Sequence, residues 1–228
     1  MIIAILILLV LALFVFLFYA SYSIKSGVYI KALCRKQTDE KVVALTFDDG
    51  PDPVQTPKVL EVLKEYGVSA TFFCIGSKIK GNEAIIQQMV DEGHAIGNHS
   101  YVHTWKFPLY STQRMTADLK QCQNLLEEAS GQDVTLFRPP FGVTNPTIAH
   151  VVKRLGYKTL GWNIRTLDTQ TFSHEKILNR IRKRLRPGSI ILLHDRMPES
   201  EVLLKRILEE LQQQGFIVQN VSLILHGK

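Results

Sequence analysis

The sequence has 228 residues, of which 46% are hydrophobic and 21% are charged. This composition excludes an intrinsically disordered chain, and three cysteines in a chain of this length exclude a disulfide-based scaffold. The length accommodates one α/β domain and hardly two complete ones.

The N-terminal residues 1–20 contain no charged side chain. As a helix, this run would be about 30 Å long, which matches the hydrocarbon core of a bilayer. A cleaved signal peptide is the alternative, but it requires a basic start, a shorter apolar stretch and a small-residue cleavage site. The segment 20–23 fits such a site poorly. We therefore expect an uncleaved transmembrane anchor at 1–20.

The net charge is +6, and four of these positive charges lie beside the anchor, before the end of a connector predicted at 21–40. Residues 1–36 hold four basic residues and no acidic one, and removing those four leaves 23 basic against 21 acidic residues in the rest of the chain. Because the main domain is nearly neutral and has no nucleic-acid-binding module, we do not expect it to bind nucleic acid. The basic flank favours a cytoplasmic domain by the positive-inside rule.

Beyond the connector, short β-branched or aromatic runs alternate with stretches of helical periodicity. The runs predict strands at 41–47, 69–75, 94–98, 134–138, 157–163, 189–194 and 216–221. The stretches between them predict helices at 55–66, 82–92, 111–130, 145–155, 173–186 and 199–214. Ser111 and Ser173 are suited to N-caps, and Pro146 to a first helical turn.

Seven strands separated by six helices imply parallel pairing through right-handed crossovers. Residues 41–225 are too few for a complete eight-fold barrel, so the sequence predicts an α/β fold with an incomplete (β/α)7 barrel. A doubly wound open sheet is the alternative, because periodicity does not distinguish an open sheet from a closed one.

Polar side chains suited to catalysis follow the predicted strands. They are Asp48, Asp49, His99, His103, Arg138, Asp168, His194 and Asp195. In a parallel α/β array the carboxyl ends of all strands open onto one face, where such folds place their active sites. The sequence therefore predicts an active site on this face.

A metal site is the best interpretation of two of these groups. The adjacent carboxylates of Asp48 and Asp49 repel each other and are stabilised by a nearby cation, although a solvated turn is the alternative. His99 and His103 would lie on the same side if their segment made a helical turn. Two histidines and one aspartate leave room for water and substrate, as in catalytic sites for zinc or a similar ion.

The remaining groups are suited to acid–base chemistry. Arg138 precedes two prolines and is a candidate for a bidentate contact with Asp48, with a surface ion pair as the alternative. The backbone N–H of Phe141 in the same rigid loop could donate to an oxyanion. His194 could supply a proton near neutral pH, and Asp168 nearby would raise its pKa and fix its ring.

Five segments, in order, resemble the five motifs of the NodB-type polysaccharide deacetylases, carbohydrate esterase family four. They are TFDDGP at 46–51, HSYVH at 99–103, RPPFG at 138–142, the stretch at 162–168 and LLH at 192–194. The resemblance covers 41–222. It implies a distorted (β/α)7 barrel that hydrolyses N- or O-linked acetyl groups of a glycan such as peptidoglycan, a chitin-like oligomer or poly-N-acetylglucosamine.

The resemblance also implies residue roles. One divalent metal ion, zinc before cobalt or nickel, would be held by Asp49, His99 and His103. Asp48 would be the general base oriented by Arg138, and His194 the general acid tuned by Asp168. The substrate would be contacted by Pro140, Phe141, Trp162 and Leu192.

The fourth motif departs from the family pattern, because Arg165 replaces an aspartate and Thr169 replaces a tryptophan. Sugar specificity is therefore not transferred, and a catalytically silent, membrane-anchored glycan-binding protein is the alternative function. An exported glycan requires a domain outside the cytoplasm, whereas the positive-inside rule favours a cytoplasmic domain. We expect a single-pass membrane protein with an extracytoplasmic domain, and the sequence leaves the oligomeric state open.

Overall fold

The computed structural model describes residues 1–171 and 173–226. Its strands β1–β8 span Val42–Asp48, Thr71–Cys74, Ala95–Asn98, Leu136–Phe137, Lys158–Thr159, Ile164–Arg165, Ser189–His194 and Ile217–Val218. Its helices α1–α8 span Ile2–Tyr22, Gln55–Glu65, Glu83–Asp91, Thr112–Ser130, Pro146–Arg154, His174–Arg184, Ser200–Gln213 and Val221–His226.

The strands form one parallel sheet in the order β5-β4-β3-β2-β1-β7-β6, and β8 pairs with the start of β1. The two ends of this order, β5 and β6, are consecutive in the chain. Lys158 and Thr159 pair with β4, whereas Ile164 and Arg165 pair with β7. The sheet therefore curls into a barrel-like shape, and the predicted (β/α)7 fold is confirmed.

Two predicted strands differ from those observed. Of the run at 157–163, only Lys158 and Thr159 form a strand, β5, which pairs with β4. The chain then leaves β4 and forms β6 beside β7 at Ile164 and Arg165, just beyond the predicted run. The run at 216–221 is shorter than predicted, since Asn220 accepts a hydrogen bond from the Leu223 N–H at 3.0 Å and so begins α8. That helix was not predicted.

Strand β1 lies at the centre and is buried along its whole length. Because side chains alternate along a strand, Val43, Leu45 and Phe47 pack with helices on one face. Ala44 packs on the other face, inside the barrel. Asp48, two positions beyond Thr46 on that inner face, therefore points into the barrel at its carboxyl end.

The predicted helix ends agree closely with the structure. The side chain of Ser111 accepts a hydrogen bond from the Arg114 N–H, and that of Ser173 accepts one from the Lys176 N–H. Pro146 occupies the first turn of α5, after the N-cap Asn145. These caps satisfy N–H groups that a helix leaves unpaired at its start.

The connector that follows α1 packs along the seam between β5 and β7. The Leu33 N–H donates to Thr159 O at 3.0 Å, and the Gly161 N–H donates to Leu33 O at 2.9 Å. Arg35 forms an antiparallel bridge with Ser189. The chain at 33–35 thus adds an extended segment to the barrel wall.

Helix α1 is long and apolar enough to cross a membrane, a property that signal sequences share. Side chains 1–19 are exposed, so the helix projects from the domain. Its end is nevertheless packed, because Ala20 is buried and its carbonyl accepts a hydrogen bond from Thr144 Oγ1 at 3.2 Å.

Candidate active site

A buried ion pair forms the floor of the site. Arg138 Nη1 donates to Asp48 Oδ1 at 2.6 Å and to Thr46 Oγ1 at 2.9 Å, while Nη2 donates to Gly161 O at 2.9 Å. The guanidinium is fully buried over the ring of Phe73. Because a buried charge is stable only when paired and hydrogen-bonded, these contacts hold Asp48 in one position.

Asp49, His99 and His103 form what we call the Asp-His-His cluster. One ligand atom from each residue lies within 4.8 Å of the others. Asp49 Oδ1 is 3.6 Å from His99 Nε2 and 3.4 Å from His103 Nε2. His99 is oriented by Arg138, whose carbonyl oxygen is 2.8 Å from His99 Nδ1, so Nε2 faces the cluster.

The spacing of His99 and His103 suits a helical turn, but the structure shows no helical turn there. Residues 99–103 form a loop in which Ser100 and His103 have φ values of 67° and 51°. Asp49 also has a positive φ, at 74°. These left-handed residues turn the chain back on itself at two strand ends, so the cluster is held by loop geometry that residue spacing does not reveal.

The electrostatics of the cluster suit a metal ligand set. Burial, and then the neighbouring His99, lower the pKa of His103 to about 4. Burial alone would raise the pKa of Asp49, but the nearby histidines and a hydrogen bond from Arg196 lower it to about 2. At neutral pH these groups are a neutral imidazole and a carboxylate, the forms that bind a divalent ion.

His194 and Asp168 form the second strongly coupled pair. His194 Nδ1 lies 2.9 Å from Asp168 Oδ1, and the His194 backbone N–H donates to Asp168 Oδ2 at 2.7 Å. Burial disfavours the charged imidazole, but the hydrogen bond and charge of Asp168 outweigh it and raise the pKa of His194. Since His194 pairs in register with Asp48, the acid candidate lies beside the base candidate.

The pocket above these groups opens to solvent. It is lined by Asp48, Asp49, His99, His103, Phe141, Gly142, Trp162, Arg165, Thr169, Leu192, His194 and Arg196. Arg138 and Asp168 lie behind this lining, against Asp48 and His194. Pro140 is buried and does not line the pocket.

Two aromatic residues shape the pocket wall. The ring of Phe141 lies 4.7 Å from that of His103, and Phe141 has a positive φ of 60°. Trp162 packs directly on Gly142, where a Cβ atom would lie 2.5 Å from the indole ring. Only glycine at position 142 lets Trp162 reach this position.

Arg196 was missed by the sequence analysis. Its Nε donates to Asp49 Oδ2 at 2.9 Å, which leaves Oδ1 facing the two histidines. Lys78 supports the same residue by donating to the Asp49 carbonyl at 2.7 Å. The position of Arg196, two residues beyond His194 at a strand end, is the signal that could have identified it.

Asp195 is the acidic strand-end residue that lies outside the pocket. It is fully buried, accepts a hydrogen bond from Thr56 Oγ1 at 2.6 Å, and has a pKa that burial raises to about 7. Its carboxylate packs against Gly50, where a side chain would clash. Asp195 therefore shapes the turn after β1.

Comparison with known proteins gives consistent matches. A family model described as polysaccharide deacetylase matches residues 35–160. A peptidoglycan-N-acetylglucosamine deacetylase of Bacillus cereus is 36% identical over 195 residues, covering 83% of this chain and 91% of the relative. A chitooligosaccharide deacetylase of Azorhizobium caulinodans is 34% identical over 196 residues, covering 79% and 93%. The crystal structure of a carbohydrate esterase family four pseudoenzyme from Bacillus anthracis superposes with a TM-score of 0.78 at 28% identity, covering 84% and 68%.

Proposed function

Because this chain belongs to the NodB-type polysaccharide deacetylases of carbohydrate esterase family four, we propose that it hydrolyses the acetamido groups of N-acetylated sugars with one divalent metal ion. The observation that carries this proposal is the convergence of the Asp-His-His cluster, the Asp48–Arg138 pair and the His194–Asp168 pair on one pocket. The substrate would be a glycan such as peptidoglycan, a chitin-like oligomer or poly-N-acetylglucosamine.

Asp49, His99 and His103 would hold the metal ion. Two imidazole nitrogens and one carboxylate oxygen suit zinc, with cobalt or nickel as the other candidates. When bound, such an ion polarises a carbonyl group and lowers the pKa of water towards about 7. Arg196 and the Arg138 carbonyl would keep the ligand atoms aimed at it.

Asp48 would act as the general base. Arg138 engages its Oδ1 atom, while Oδ2 faces the cluster and lies 3.7 Å from His99 Nε2. Oδ2 is thus placed to take a proton from a water that adds to the acetyl carbon. The Phe141 N–H would donate to the oxyanion that forms, at the edge of the same pocket.

His194 would act as the general acid. Asp168 holds Nδ1, so Nε2 is left to face the pocket. As the carbon–nitrogen bond breaks, the protonated imidazole gives its proton to the departing nitrogen, which leaves as an amine together with acetate. Without that proton the nitrogen would have to leave as an anion, which is a poor leaving group. The raised pKa of His194 favours the protonated imidazole that supplies the proton.

The pocket wall would contact the sugar and its acetyl group. Leu192 and Trp162 supply apolar surface, Phe141 borders the cluster, and the buried Pro140 precedes Phe141 in the same turn. Compared with the family pattern, Arg165 reverses the sign of a charge on the wall, and Thr169 replaces an aromatic side chain with a small polar one. We propose that these two residues alter the choice of sugar and leave the acid–base groups intact.

We propose that residues 1–20 anchor the protein in a membrane and that residues 41–225 form the catalytic domain outside the cytoplasm. Residues 21–40 would connect the anchor to this domain. The packed end of α1 supports an anchor over a removable signal, since Ala20 and Ile24 are buried against the domain. An extracytoplasmic domain would meet exported glycans.

A catalytically silent glycan-binding protein is the second candidate function, since a pseudoenzyme has a similar structure. The metal-ligand and acid–base candidates that converge on the pocket do not favour it. Acetate release from acetylated chito-oligosaccharides and peptidoglycan, with and without a chelator, separates the two. Deacetylation that the chelator stops and zinc restores is expected. Zinc bound stoichiometrically without acetate release from any glycan would instead establish the binding protein.

A further inference from the structure

Four exposed apolar side chains lie on two loops that also carry the pocket-lining residues His103 and Phe141. Val102, Trp105, Leu109 and Phe141 are 52%, 69%, 76% and 50% exposed, and we call them the apolar rim. Single exposed apolar residues are common on soluble proteins, whereas grouped ones mark interaction surfaces.

The two loops that carry the apolar rim are joined to each other. Asn145 Nδ2 donates to Pro108 O at 2.6 Å, next to Leu109. At the other end, the ring of Phe141 packs on His103, next to Val102. The apolar rim therefore forms part of one surface and not two unrelated loop tips.

The end of α1 is attached to this same surface. The Thr144 N–H donates to Ser21 O at 2.9 Å, beside the bond from its hydroxyl to Ala20 O. Phe141 is three residues from Thr144, so their Cα atoms lie within about 11 Å of each other. A bilayer holding α1 would meet the domain here, with Tyr19 and Tyr22 at interfacial depth.

The charge of the two loops also suits a lipid surface. Residues 99–117 and 134–167 contain no acidic side chain. Lys106 lies over the ring of Trp105, with Nζ 5.4 Å from the ring centroid. Such a loop would be attracted by anionic headgroups while its aromatic side chain enters the interface.

We propose that the apolar rim inserts into the headgroup region of the membrane that holds α1, so that the pocket opens along the lipid surface. Its substrates would then be acetylated glycans held at that surface, in preference to the same sugars free in solution. The preference for substrates at the lipid surface rests on the proposed deacetylation, whereas the insertion of the apolar rim into lipid, which we call the seating, does not.

The seating is tested on the full chain in nanodiscs of phosphatidylcholine and phosphatidylglycerol, with and without bromine on the acyl chains. The contribution of Trp105 to the fluorescence is the difference between the wild type and Trp105→Phe. A matched control places an indole at an exposed apolar position at the opposite end of the barrel, through Ile217→Trp in the Trp105→Phe background. Circular dichroism verifies folding.

We expect Trp105 to lose most of its emission in brominated nanodiscs and to resist quenching by aqueous iodide. The control indole at position 217 should be quenched by iodide and not by bromine. Iodide quenching of Trp105 as strong as that of the control, without quenching by bromine, would overturn the proposal.

The preference is tested by Leu109→Ser combined with Trp105→Ser. We expect this variant to deacetylate a lipid-linked oligosaccharide in the nanodisc several-fold more slowly than the wild type, with an unchanged rate on the free oligosaccharide. Equal losses on both substrates would refute the preference. A wild type inactive on both, with Trp105 still quenched by bromine, would refute the proposed function and leave the seating intact.

Discussion

Two halves of the pocket are built differently. Asp48 and His194 end two paired strands, and each is held by a buried partner, Arg138 or Asp168. The Asp-His-His cluster lies on loops with left-handed residues, and its members face one another at distances beyond hydrogen bonding. The acid–base half is thus fixed by the fold itself, whereas the cluster is arranged to receive a further group.

The largest expected effect comes from the acid–base half. Asp48→Asn removes the base but keeps the shape of the side chain, so acetate release should fall by about 10²–10⁴-fold, the usual contribution of general acid–base catalysis. Zinc content, measured by atomic absorption, should not change. Substantial remaining turnover would show that Asp48 is not the base.

The next largest effect should come from the cluster. His103→Ala removes one of three ligands, so zinc should be lost on dialysis and activity with it, partly recoverable at high zinc concentration. His150→Ala, which alters an exposed histidine on α5, is the control and should retain both. Equal zinc retention by the two variants would contradict the assignment of His103.

Arg196→Ala separates support of the cluster from metal ligation, because Arg196 bonds to Asp49 without belonging to the cluster. Loss of its bond to Asp49 Oδ2 should weaken zinc binding by about 10–100-fold, as for other partners of metal ligands. Arg165→Ala is the matched control, since Arg165 lines the same pocket and has no bond to Asp49. Competition with a chromophoric chelator measures both affinities, and equal losses would refute a bracing role.

The smallest effect should be a shift in pH dependence. His194 donates a proton only when protonated, so activity falls as the pH rises through its pKa. Because Asp168 raises that pKa, Asp168→Asn should move the alkaline limb of kcat/KM to lower pH. The exposed Asp133→Asn should leave the limb in place. An unmoved limb in the Asp168 variant would exclude His194 as the titrating acid.

The same difference between strands and loops explains what could be predicted from the sequence. Strands β1 and β7 were predicted closely because each is a buried apolar run with neighbours on both sides. The groups at their ends followed from the rule that parallel strands open onto one face. The common location of the candidate site residues could therefore be predicted once the strands were placed.

The rest depended on contacts that one segment does not encode. The spacing of His99 and His103 suits a helical turn, and spacing alone does not indicate the left-handed residues that form the loop at 99–103. The short β5 and the separate β6 at Ile164–Arg165 depend on the change of neighbour from β4 to β7. Arg196 was missed because its partner, Asp49, lies 147 residues away in the chain.

The packing of the connector has a practical consequence for soluble forms of the protein. Leu33 occupies the seam by bonding to Thr159 and Gly161, and Cys34 and Ile24 lie against Gly161. A truncation that begins at residue 41 would remove this segment and expose the unpaired edge of β5, a surface prone to aggregation. A fragment for crystallisation should instead begin near Ser23, which deletes the exposed apolar helix α1 and preserves the wall of the barrel.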